Sequence, residues 1–480
     1  MSKEHSYTQK LREIVESSTI HGIPNVLRSK NKFLRYFWTV AFLVFFSYCM
    51  YSVVLIIFTY LQFNVIVRMQ IVQTYNAEFP AVTFCNINPY DFTIGENLKN
   101  VTKLLNESFL YAENFNSKRC DTQMNNVLNV ELPNLHGFSL DKLLISCQYD
   151  GKPCDPNNFF PQRAFYFGNC YTFNYGKNST GHQVPIEKSK RPGTINGLKL
   201  KLFVGAPEYQ PCWEYRFGAL IVVHNRTSPP LYAEEGLFIQ TGAETNFILN
   251  KVRINKMPSP YSDCVVNVSN RNEFNSVSYR NAFDFSGSYR QKWCVLNCSV
   301  ARAIEENMPK CSALNFATNL ERTRCINDLE NLTKHYDLCS GECPIECDYS
   351  FFNVFKSTSS FPSYAYAKHL LANPTFRSKF PYENITFGQV RDSVVALNVY
   401  FDSNNYQRIE ELPESNFGSL LGNLGGQLGL FLGVSFLTFA ELVEIFVQMA
   451  IIYFRNLNKS SSRVEILKKN QTAEKVLEKF

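Results

Sequence analysis

The chain has 480 residues, of which 45% are hydrophobic and 19% charged, so it is long enough for several subdomains and has the composition of a folded protein. Its formal net charge of +6 lies at the two ends, because residues 1–35 and residues 455–480 each hold seven Lys/Arg against three Glu. This distribution excludes the broad basic face of a nucleic-acid-binding protein. It is typical of two cytoplasmic tails under the positive-inside rule.

The first predicted element is an N-terminal tail, residues 1–35, without the apolar core of a cleavable signal peptide. Its His21-Gly22 pair is, taken alone, an ordinary helix-ending sequence, because glycine adopts the conformations that end helices. Between Arg35 and Arg68 follow 32 uncharged residues with aromatic side chains near both edges. This pattern predicts a transmembrane helix over residues 36–67.

Residues 68–414 are predicted to form one large extracellular region of mixed α+β structure. Prolines at 229–230 and 258–260 predict loops. Helical patterns occur at Asn97–Glu113 and Lys292–Glu306. The strand-like runs are Phe79–Asn86, Arg163–Asn174, Gly197–Phe203, Gly218–His224 and Val394–Phe401.

Cysteines and glycosylation sequons both indicate that this region is extracellular. Cys49 lies in the first apolar segment, and the other fourteen of the fifteen cysteines lie between Cys85 and Cys347. A dense, even set is typical of a disulfide framework in an oxidising compartment. Eight N-x-Ser/Thr sequons in the same region predict N-linked glycans. These sequons start at Asn100, Asn106, Asn178, Asn225, Asn267, Asn297, Asn331 and Asn384.

The densest cysteines raise a choice between disulfides and zinc. Cys294 and Cys298 are four residues apart and so lie on one helix face, from which two bridges could reach Cys339 and Cys343. This spacing does not exclude zinc, but the sequon-bearing compartment favours disulfides, and the nearby His335 lacks ligand spacing. We therefore expect no metal. Spacing alone leaves the connectivity open.

Residues 415–454 form the second apolar segment, which is uncharged from Ser415 to Ala440 and so longer than the about 20 residues that cross a bilayer. Glycines at a spacing of four line it, and such columns let helices approach closely in lipid. Glu441 and Glu444 follow on one helix face. Either the acids lie in the cytoplasmic headgroup zone, or the helix lines a pore and they face permeating cations. The cost of a carboxylate at membrane depth favours the pore.

The resulting topology has two spans and two cytoplasmic tails, the second at residues 455–480. Two helices cannot enclose a water-filled path, so several subunits in a closed ring are expected. The sequence has no H-E-x-x-H, no P-loop and no complete G-x-S-x-G, and its seven histidines are scattered. We therefore expect neither catalysis nor a cofactor.

Several of these motifs, taken together, resemble the degenerin/epithelial sodium channel/acid-sensing ion channel superfamily over nearly the whole chain. They are His21-Gly22, residues 79–82 with Cys85-Asn86, residues 168–174, the cysteine cluster, and residues 425–435 followed by Leu437-Thr438 and Glu441-Leu442. The resemblance implies a plasma-membrane protein with two transmembrane helices and a large disulfide-rich α+β extracellular domain of finger, thumb, palm, knuckle and β-ball parts. It implies a homo- or heterotrimer of related subunits, in contact with membrane lipid, that forms an amiloride-sensitive cation channel.

The resemblance also implies roles for residues of the second apolar segment. The family's selectivity belt falls on Gly433, Val434 and Ser435, and its extracellular gate and blocker position falls on Gly422. Asn423 stands where acid-sensing relatives have an acid. Most relatives have a smaller residue than Val434, so we expect cation selectivity with a modest preference for sodium, and calcium as a second permeant ion.

Two further pairs take roles from the resemblance. His21-Gly22 matches a motif that controls open probability from below the pore. The wrist coupling of the acid-sensing branch falls on Phe63 and Tyr261, whose stacking would contribute about 1 kcal/mol. The alternative is that these are two loop aromatics that never meet.

By similarity, six disulfides are implied, and Cys120 and Cys212 remain as a seventh pair. The six are Cys85–Cys170, Cys147–Cys154, Cys264–Cys347, Cys294–Cys343, Cys298–Cys339 and Cys311–Cys325.

The gating stimulus of the channel is predicted from the absence of titrating side chains in one segment. Acid-sensing relatives place a histidine after the first span, whereas residues 63–69 contain no side chain that titrates near neutral pH. The compact extracellular region and short tails resemble the peptide-gated branch, including the hydra RFamide-gated channels, which implies an extracellular peptide ligand. The alternatives are a proton-gated or constitutively active sodium channel, a non-conducting two-span receptor, and the ATP-gated family, which lacks the motifs at 79–82 and 433–435.

Overall fold

A computed structural model describes residues 22–311 with gaps at 90, 92–136, 165–166, 207–208, 210–215 and 227, residues 332–435, and residues 437–451 with gaps at 439, 442, 445 and 448–450. The helix predicted at Asn97–Glu113 lies outside these residues. The chain divides into two compact units. One comprises Met1–Ile66 with Pro413–Phe480, and the other comprises Val67–Leu412.

The helices and strands are as follows. The described helices are α1 Ile23–Arg28, α2 Lys32–Leu61, α3 Leu140–Leu143, α4 Tyr232–Glu235, α5 Val277–Ser286, α6 Gln291–Cys311, α7 Leu332–Glu342, α8 Tyr364–Ala372, α9 Pro374–Arg377, α10 Phe387–Ser393 and α11 Phe417–Leu432. The described strands are β1 Val65–Val72, β2 Ala77–Glu78, β3 Ala81–Asn86, β4 Leu144–Tyr149, β5 Lys152–Pro153, β6 Phe159–Ala164, β7 Gly168–Phe173, β8 Lys188–Ser189, β9 Leu198–Phe203, β10 Gly218–His224, β11 Gly236–Gln240, β12 Ala243–Asn255, β13 Asp348–Ser360 and β14 Val394–Pro413.

In the first unit, the apolar helix α2 begins and ends earlier than predicted. It begins after Asn31, whose side chain caps the helix, and ends at Leu61 rather than at residue 67. Phe63 has a left-handed φ of 51°, which is incompatible with a continuing helix. Residues 65–67 then enter β1, because β-branched side chains fit a pleated strand. Among the described residues, α2 is the one helix long and apolar enough to cross a bilayer.

The second unit is organised around a seven-stranded sheet in the order β13-β12-β14-β9-β4-β5, with β1 also paired to β14. β12 pairs antiparallel with β13, from Ala243 opposite Ser360 to Asn255 opposite Asp348. It pairs in parallel with β14 on its other side. A five-stranded sheet, β11-β10-β3-β7-β6, and the short pair β2-β8 complete the described β-structure.

The two larger sheets share one hydrophobic core. Phe79 is 1% exposed and lies edge-on to Tyr149, Phe173 and Phe401, with ring centroids 5.0, 6.3 and 5.9 Å away. Phe247 of β12 is fully buried in the same cluster. Edge-to-face rings stabilise such a core beyond the area that they bury. The residues around Phe79, singled out as a motif, therefore join the two sheets.

Two helical subdomains pack on this β-structure. Helices α5, α6 and α7 form the first, in which the rings of Tyr279 and Tyr289 stack at 4.1 Å. Helices α8, α9 and α10 form the second, in which Phe376 and Phe380 pack edge-on against Phe203 of β9 at 6.1 and 5.0 Å.

The strand predictions differ from the structure in three ways, one of which is that β14 continues beyond the predicted Val394–Phe401 to Pro413. The run Arg163–Asn174 is not one strand but the end of β6 and all of β7, which form an antiparallel hairpin. Gly168, where β7 begins, has a φ of 63°, and a Cβ there would lie 2.0 Å from the Pro89 carbonyl oxygen. Strands β12 and β13 were not predicted, although alternation of polar and apolar residues is itself a signal for a half-buried strand.

Candidate functional site

The candidate site begins where α11 ends, at the run 433–435. Gly433 has a left-handed φ of 67°, and its N–H donates to the Gly429 carbonyl at 3.0 Å, while the Val434 N–H donates to the Leu428 carbonyl at 3.2 Å. Glycine adopts this conformation without the penalty of about 1–2 kcal/mol that other residues incur. The structure therefore differs from the predicted continuous helix over residues 415–454, because α11 stops at Leu432.

The break is followed by a capped helical turn. The Ser435 N–H donates to Thr438 Oγ1 at 3.1 Å, and the Thr438 N–H donates to the Ser435 carbonyl at 3.0 Å. This resembles one half of a capping box, in which the third helical residue bonds back to the cap. Thr438 is 2% exposed. Its positioning role was not predicted, although the S-x-x-T spacing was a signal for it.

Contacts between α11 and α2 fix the orientation of α11. The Phe431 ring lies 6.3 Å from Phe45 and 5.0 Å from Tyr48. Cys49 is fully buried, unpaired with any other cysteine, and its Sγ lies 3.8 Å from the Gln427 carbonyl oxygen. The sequence reasoning gave Cys49 no role beyond its position in the apolar segment.

The glycines of α11 leave another part of its surface open. A Cβ atom built at Gly422, Gly425 or Gly426 would meet no atom of the described structure within 4 Å. Asn423, next to the predicted gate glycine, is exposed within the subunit. These three glycines therefore leave room for a close neighbour.

The two predicted pore acids lie beyond the break. The described residues between 437 and 451 are helical, and among them Glu441 is half-buried and Glu444 exposed. Their spacing of three places both on one helix face. The site thus brings together a helix end, a capped turn and two carboxylates on one stretch of chain.

The N-terminal motif is described in part, since His21 lies outside the described residues. Gly22 begins α1 with a φ of 98°, and a Cβ there would lie 3.0 Å from the Phe42 ring of α2. Gly22 therefore does not end a helix, as its type alone suggested, but directly precedes one. Its close approach to α2 gives a physical reason for glycine at this position.

The two predicted wrist residues lie in different units. The Phe63 ring is 6.4 Å from the Tyr60 ring, and the Tyr261 N–H donates to the Pro258 carbonyl at 3.0 Å. Their mutual stacking stays a prediction.

Five disulfides brace the second unit among its described residues. They are Cys85–Cys170, Cys147–Cys154, Cys264–Cys347, Cys294–Cys343 and Cys298–Cys339. The same five pairs are implied by the resemblance, whereas the pairs Cys311–Cys325 and Cys120–Cys212 fall on side chains outside the described residues. Within the described part of the chain, no group of three His, Cys, Asp or Glu residues could hold a metal ion.

The sequons differ in how free their asparagines are. Asn267, Asn297 and Asn384 are exposed, while Asn178 and Asn225 are half-buried. The Asn225 amide donates to the Ser350 carbonyl at 2.6 Å. Asn100, Asn106 and Asn331 lie outside the described residues, and glycan attachment stays a prediction at all eight.

One family model, described as amiloride-sensitive sodium channel, matches residues 14–445, which is most of the chain. The chain belongs to the amiloride-sensitive sodium channel family. The second unit is therefore the disulfide-rich, β-rich extracellular domain of a channel-family protein. Nothing in this membership points to an enzyme.

Individual relatives agree with this assignment. Acid-sensing ion channel 1C of Danio rerio is 27% identical over 475 residues, covering 92% of this chain and 84% of the relative. The epithelial sodium channel subunit beta of Homo sapiens is 29% identical over 401 residues, covering 79% of this chain and 58% of the relative. A solved structure described as a proton-activated chloride channel has 7% identity and a TM-score of 0.33, covering 86% of this chain and 97% of that chain. That similarity is too weak to support an inference.

Proposed function

We propose that this chain is a pore-forming subunit of a ligand-gated, amiloride-sensitive cation channel in the plasma membrane. The observation that carries the proposal is the glycine-broken helix α11 followed by Glu441 and Glu444. α11 has 16 residues and so extends about 24 Å, less than the about 30 Å of a bilayer core. The second span therefore continues through the break, and both tails lie in the cytoplasm.

Permeation is assigned to two positions along this span. The belt at Gly433, Val434 and Ser435 is the narrow part, and the acids beyond it concentrate cations and repel anions. A trimer would gather six carboxylates, three copies of two. A cation between them offsets their mutual repulsion. We expect sodium to permeate with modest preference, and calcium as a second permeant ion.

A ring of three related subunits is supported by the open glycine face of α11. Small residues let helices approach closely in membranes, and a Cβ atom at Gly422, Gly425 or Gly426 would meet nothing within 4 Å in the described subunit. The exposed apolar side chains of α2, which include Phe45 and Leu55, suit contact with lipid. Expression of the chain alone and together with related subunits distinguishes three identical copies from a mixture of related chains.

The fold suits the family's subdomain plan. In this proposal the seven-stranded sheet is the palm and the five-stranded sheet the β-ball. Helices α5, α6 and α7 are the thumb, and helices α8, α9 and α10 are the knuckle. The finger falls on residues 92–136, outside the described part of the chain.

Neuropeptide gating is the proposed stimulus. Besides the absence of a titrating side chain at residues 63–69, the one buried histidine of the five-stranded sheet is poorly suited to sense protons. His224 bonds through Nε2 to Thr83 Oγ1 at 2.8 Å, and burial lowers its pKa to about 4. It therefore stays neutral over the range in which acid-gated channels would respond.

Proton gating is the second candidate, and one carboxyl favours it. Glu346, between β13 and the Cys343 disulfide, has a pKa raised by burial, although Arg290 and Lys292 act in the opposite direction. Such a group would gain a proton at a higher pH than an ordinary glutamate.

Voltage clamp of cells expressing the chain, alone and with related subunits, tests the proposal. We expect an inward sodium current that extracellular peptides activate and amiloride blocks. Acid steps and ATP are applied to the same cells as the competing stimuli. A current opened by acid and not by peptides would show that protons, rather than a peptide, are the gating stimulus. A chain that reaches the surface in every combination and carries no current would support the non-conducting receptor instead.

A further inference from the structure

Glu410 of β14 is a buried carboxylate held by the strand that follows α2. Its side chain is 7% exposed, and Oε1 accepts hydrogen bonds from Arg68 Nε at 2.6 Å and Gln70 Nε2 at 3.1 Å. Oε2 lies 2.9 Å from Arg408 Nη2. Arg68 and Gln70 belong to β1, which pairs directly with β14. The sequence reasoning missed this network, although two adjacent acids near a strand end were a signal for it.

Glu411, the next residue, binds a different part of the extracellular domain. Its Oε1 lies 3.2 Å from Lys256 Nζ, and its Oε2 accepts the Met257 N–H at 2.9 Å. Lys256 and Met257 directly follow β12, and the Lys256 N–H donates to the Cys347 carbonyl at 2.7 Å. The segment that Glu411 holds is therefore itself tied to the disulfide-braced residues 264–347.

Alternation along a strand explains why the two acids reach different partners. Successive side chains of a strand point to opposite faces of the sheet. Glu410 therefore ties one face of β14 to β1, while Glu411 ties the other face to the end of β12. The end of β14, shortly before α11, is therefore held on both of its faces by charge-assisted hydrogen bonds.

The position of these bonds along the chain suggests what they do. β1 begins at Val65, shortly after α2 ends, and β14 ends at Pro413, shortly before α11 begins. We propose that Glu410 and Glu411 are positioning residues for gating, which transmit movement of the extracellular domain to α11. This inference rests on the proposed channel function. The Lys256–Glu411 ion pair transmits movement of the disulfide-braced segment to the end of β14. The Arg68–Glu410 ion pair keeps the segments that lead to α2 and α11 in register.

Burial distinguishes these bonds from ordinary surface pairs. Glu410 is buried, whereas Arg68 and Arg408 are 57% and 42% exposed, so removing Glu410 leaves two partly solvated cations without their shared anion. Exposed pairs typically contribute little. Arg271–Asp284 joins the segment before α5 to α5, and both side chains are 49% exposed. Neither residue belongs to a strand that pairs with β14, and the pair is therefore the matched control.

The test measures the state of α11 without needing a current. Cysteines are introduced one at a time at Ser419 and Asn423 of the full chain, and intact cells are treated with a membrane-impermeant thiol-reactive biotin. The labelling rate is compared for Glu411→Lys, Lys256→Glu and the double swap, and for Glu410→Gln. Lys256→Gln is the mild variant for chains that do not reach the surface, because Glu411 keeps its bond to the Met257 N–H.

We expect each single variant to change the labelling rate at one reporter at least about fivefold, in line with typical coupling between sites. The double swap should return it part of the way, because it restores the ion pair but not the bond that Glu411 accepts from the Met257 N–H. Reversing the Arg271–Asp284 pair should leave the labelling rate unchanged. Unchanged labelling in all single variants would overturn the inference, as would an equal response to the control swap. Altered labelling in a chain that conducts nothing would overturn the channel proposal alone.

Discussion

The two apolar helices of the first unit are built in opposite ways. α2 runs for 30 residues without a glycine and is continuous from Lys32 to Leu61. α11 has 16 residues, carries five glycines and ends at a sixth, Gly433, before the chain turns and continues towards Glu441. An uninterrupted apolar helix suits a lipid-facing span. A glycine-lined helix that is interrupted and followed by carboxylates suits a position where it faces neighbouring helices and water.

The largest expected effect separates folding of the extracellular domain from the properties of these helices. Cys294→Ser removes one of the bridges between α6 and the segment after α7. Losing such a bridge typically costs about 2–5 kcal/mol, so we expect most of the chain to be retained inside the cell. Surface biotinylation measures this. Cys49→Ser is the control, because Cys49 forms no disulfide. Equal surface levels of Cys294→Ser and Cys49→Ser would show that the bridge is dispensable.

Acid should also act on the extracellular domain rather than on the helices. The pKa of His224 is about 4 in the folded chain because burial disfavours its charged form, against about 6.5 when unfolded. The unfolded chain therefore binds the proton first, and stability is lost as the pH falls from about 6.5 towards 4, by up to about 3 kcal/mol. Thermal unfolding of the purified full chain at pH 7.5 and 5 measures the loss. His224→Gln should reduce this pH dependence, whereas the exposed His182→Gln should retain it in full.

The break after α11 is tested by replacing Gly433 with alanine, a residue that a continuous helix such as α2 tolerates. Gly433→Ala places a side chain at a left-handed φ, which costs about 1–2 kcal/mol and favours a continuous helix instead. We expect the current per surface subunit to fall about tenfold, the factor that 1.4 kcal/mol represents. Gly341→Ala in α7, where a Cβ meets nothing within 4 Å, is the control for the same chemical change. A Gly433→Ala channel with ordinary current would mean that the break is incidental.

The smallest expected effect concerns the middle residue of the belt. Val434→Ala shortens the side chain in the middle of the belt. We expect the sodium preference over potassium to rise, with surface level unchanged. Reversal potentials in mixed sodium and potassium solutions measure it. An unchanged preference would remove Val434 from the explanation of selectivity while leaving the acids untouched.

The sequence was most informative where one signal dominated. Uncharged length predicted α2, and the predicted runs Phe79–Asn86 and Gly218–His224 contain strands β3 and β10. It was least informative where tertiary contacts decide. The end of α11 depends on the backbone conformation of Gly433, which hydrophobicity does not report. The Glu410 network depends on strand pairing between β1 and β14, which are more than three hundred residues apart.

The central claim, that α11 and the acids after it line a path for cations, is tested most directly by ion dilution. The external NaCl is reduced tenfold, with the osmolarity balanced, and the reversal potential of the amiloride-sensitive current is measured for the native chain and Glu441→Gln. The claim predicts a negative shift approaching the about 59 mV of an ideal monovalent cation pathway, and a lower calcium permeability in the Glu441→Gln channel. A positive shift, which marks anion permeation, would contradict the claim, and an unaltered calcium permeability would show that Glu441 does not face the pore.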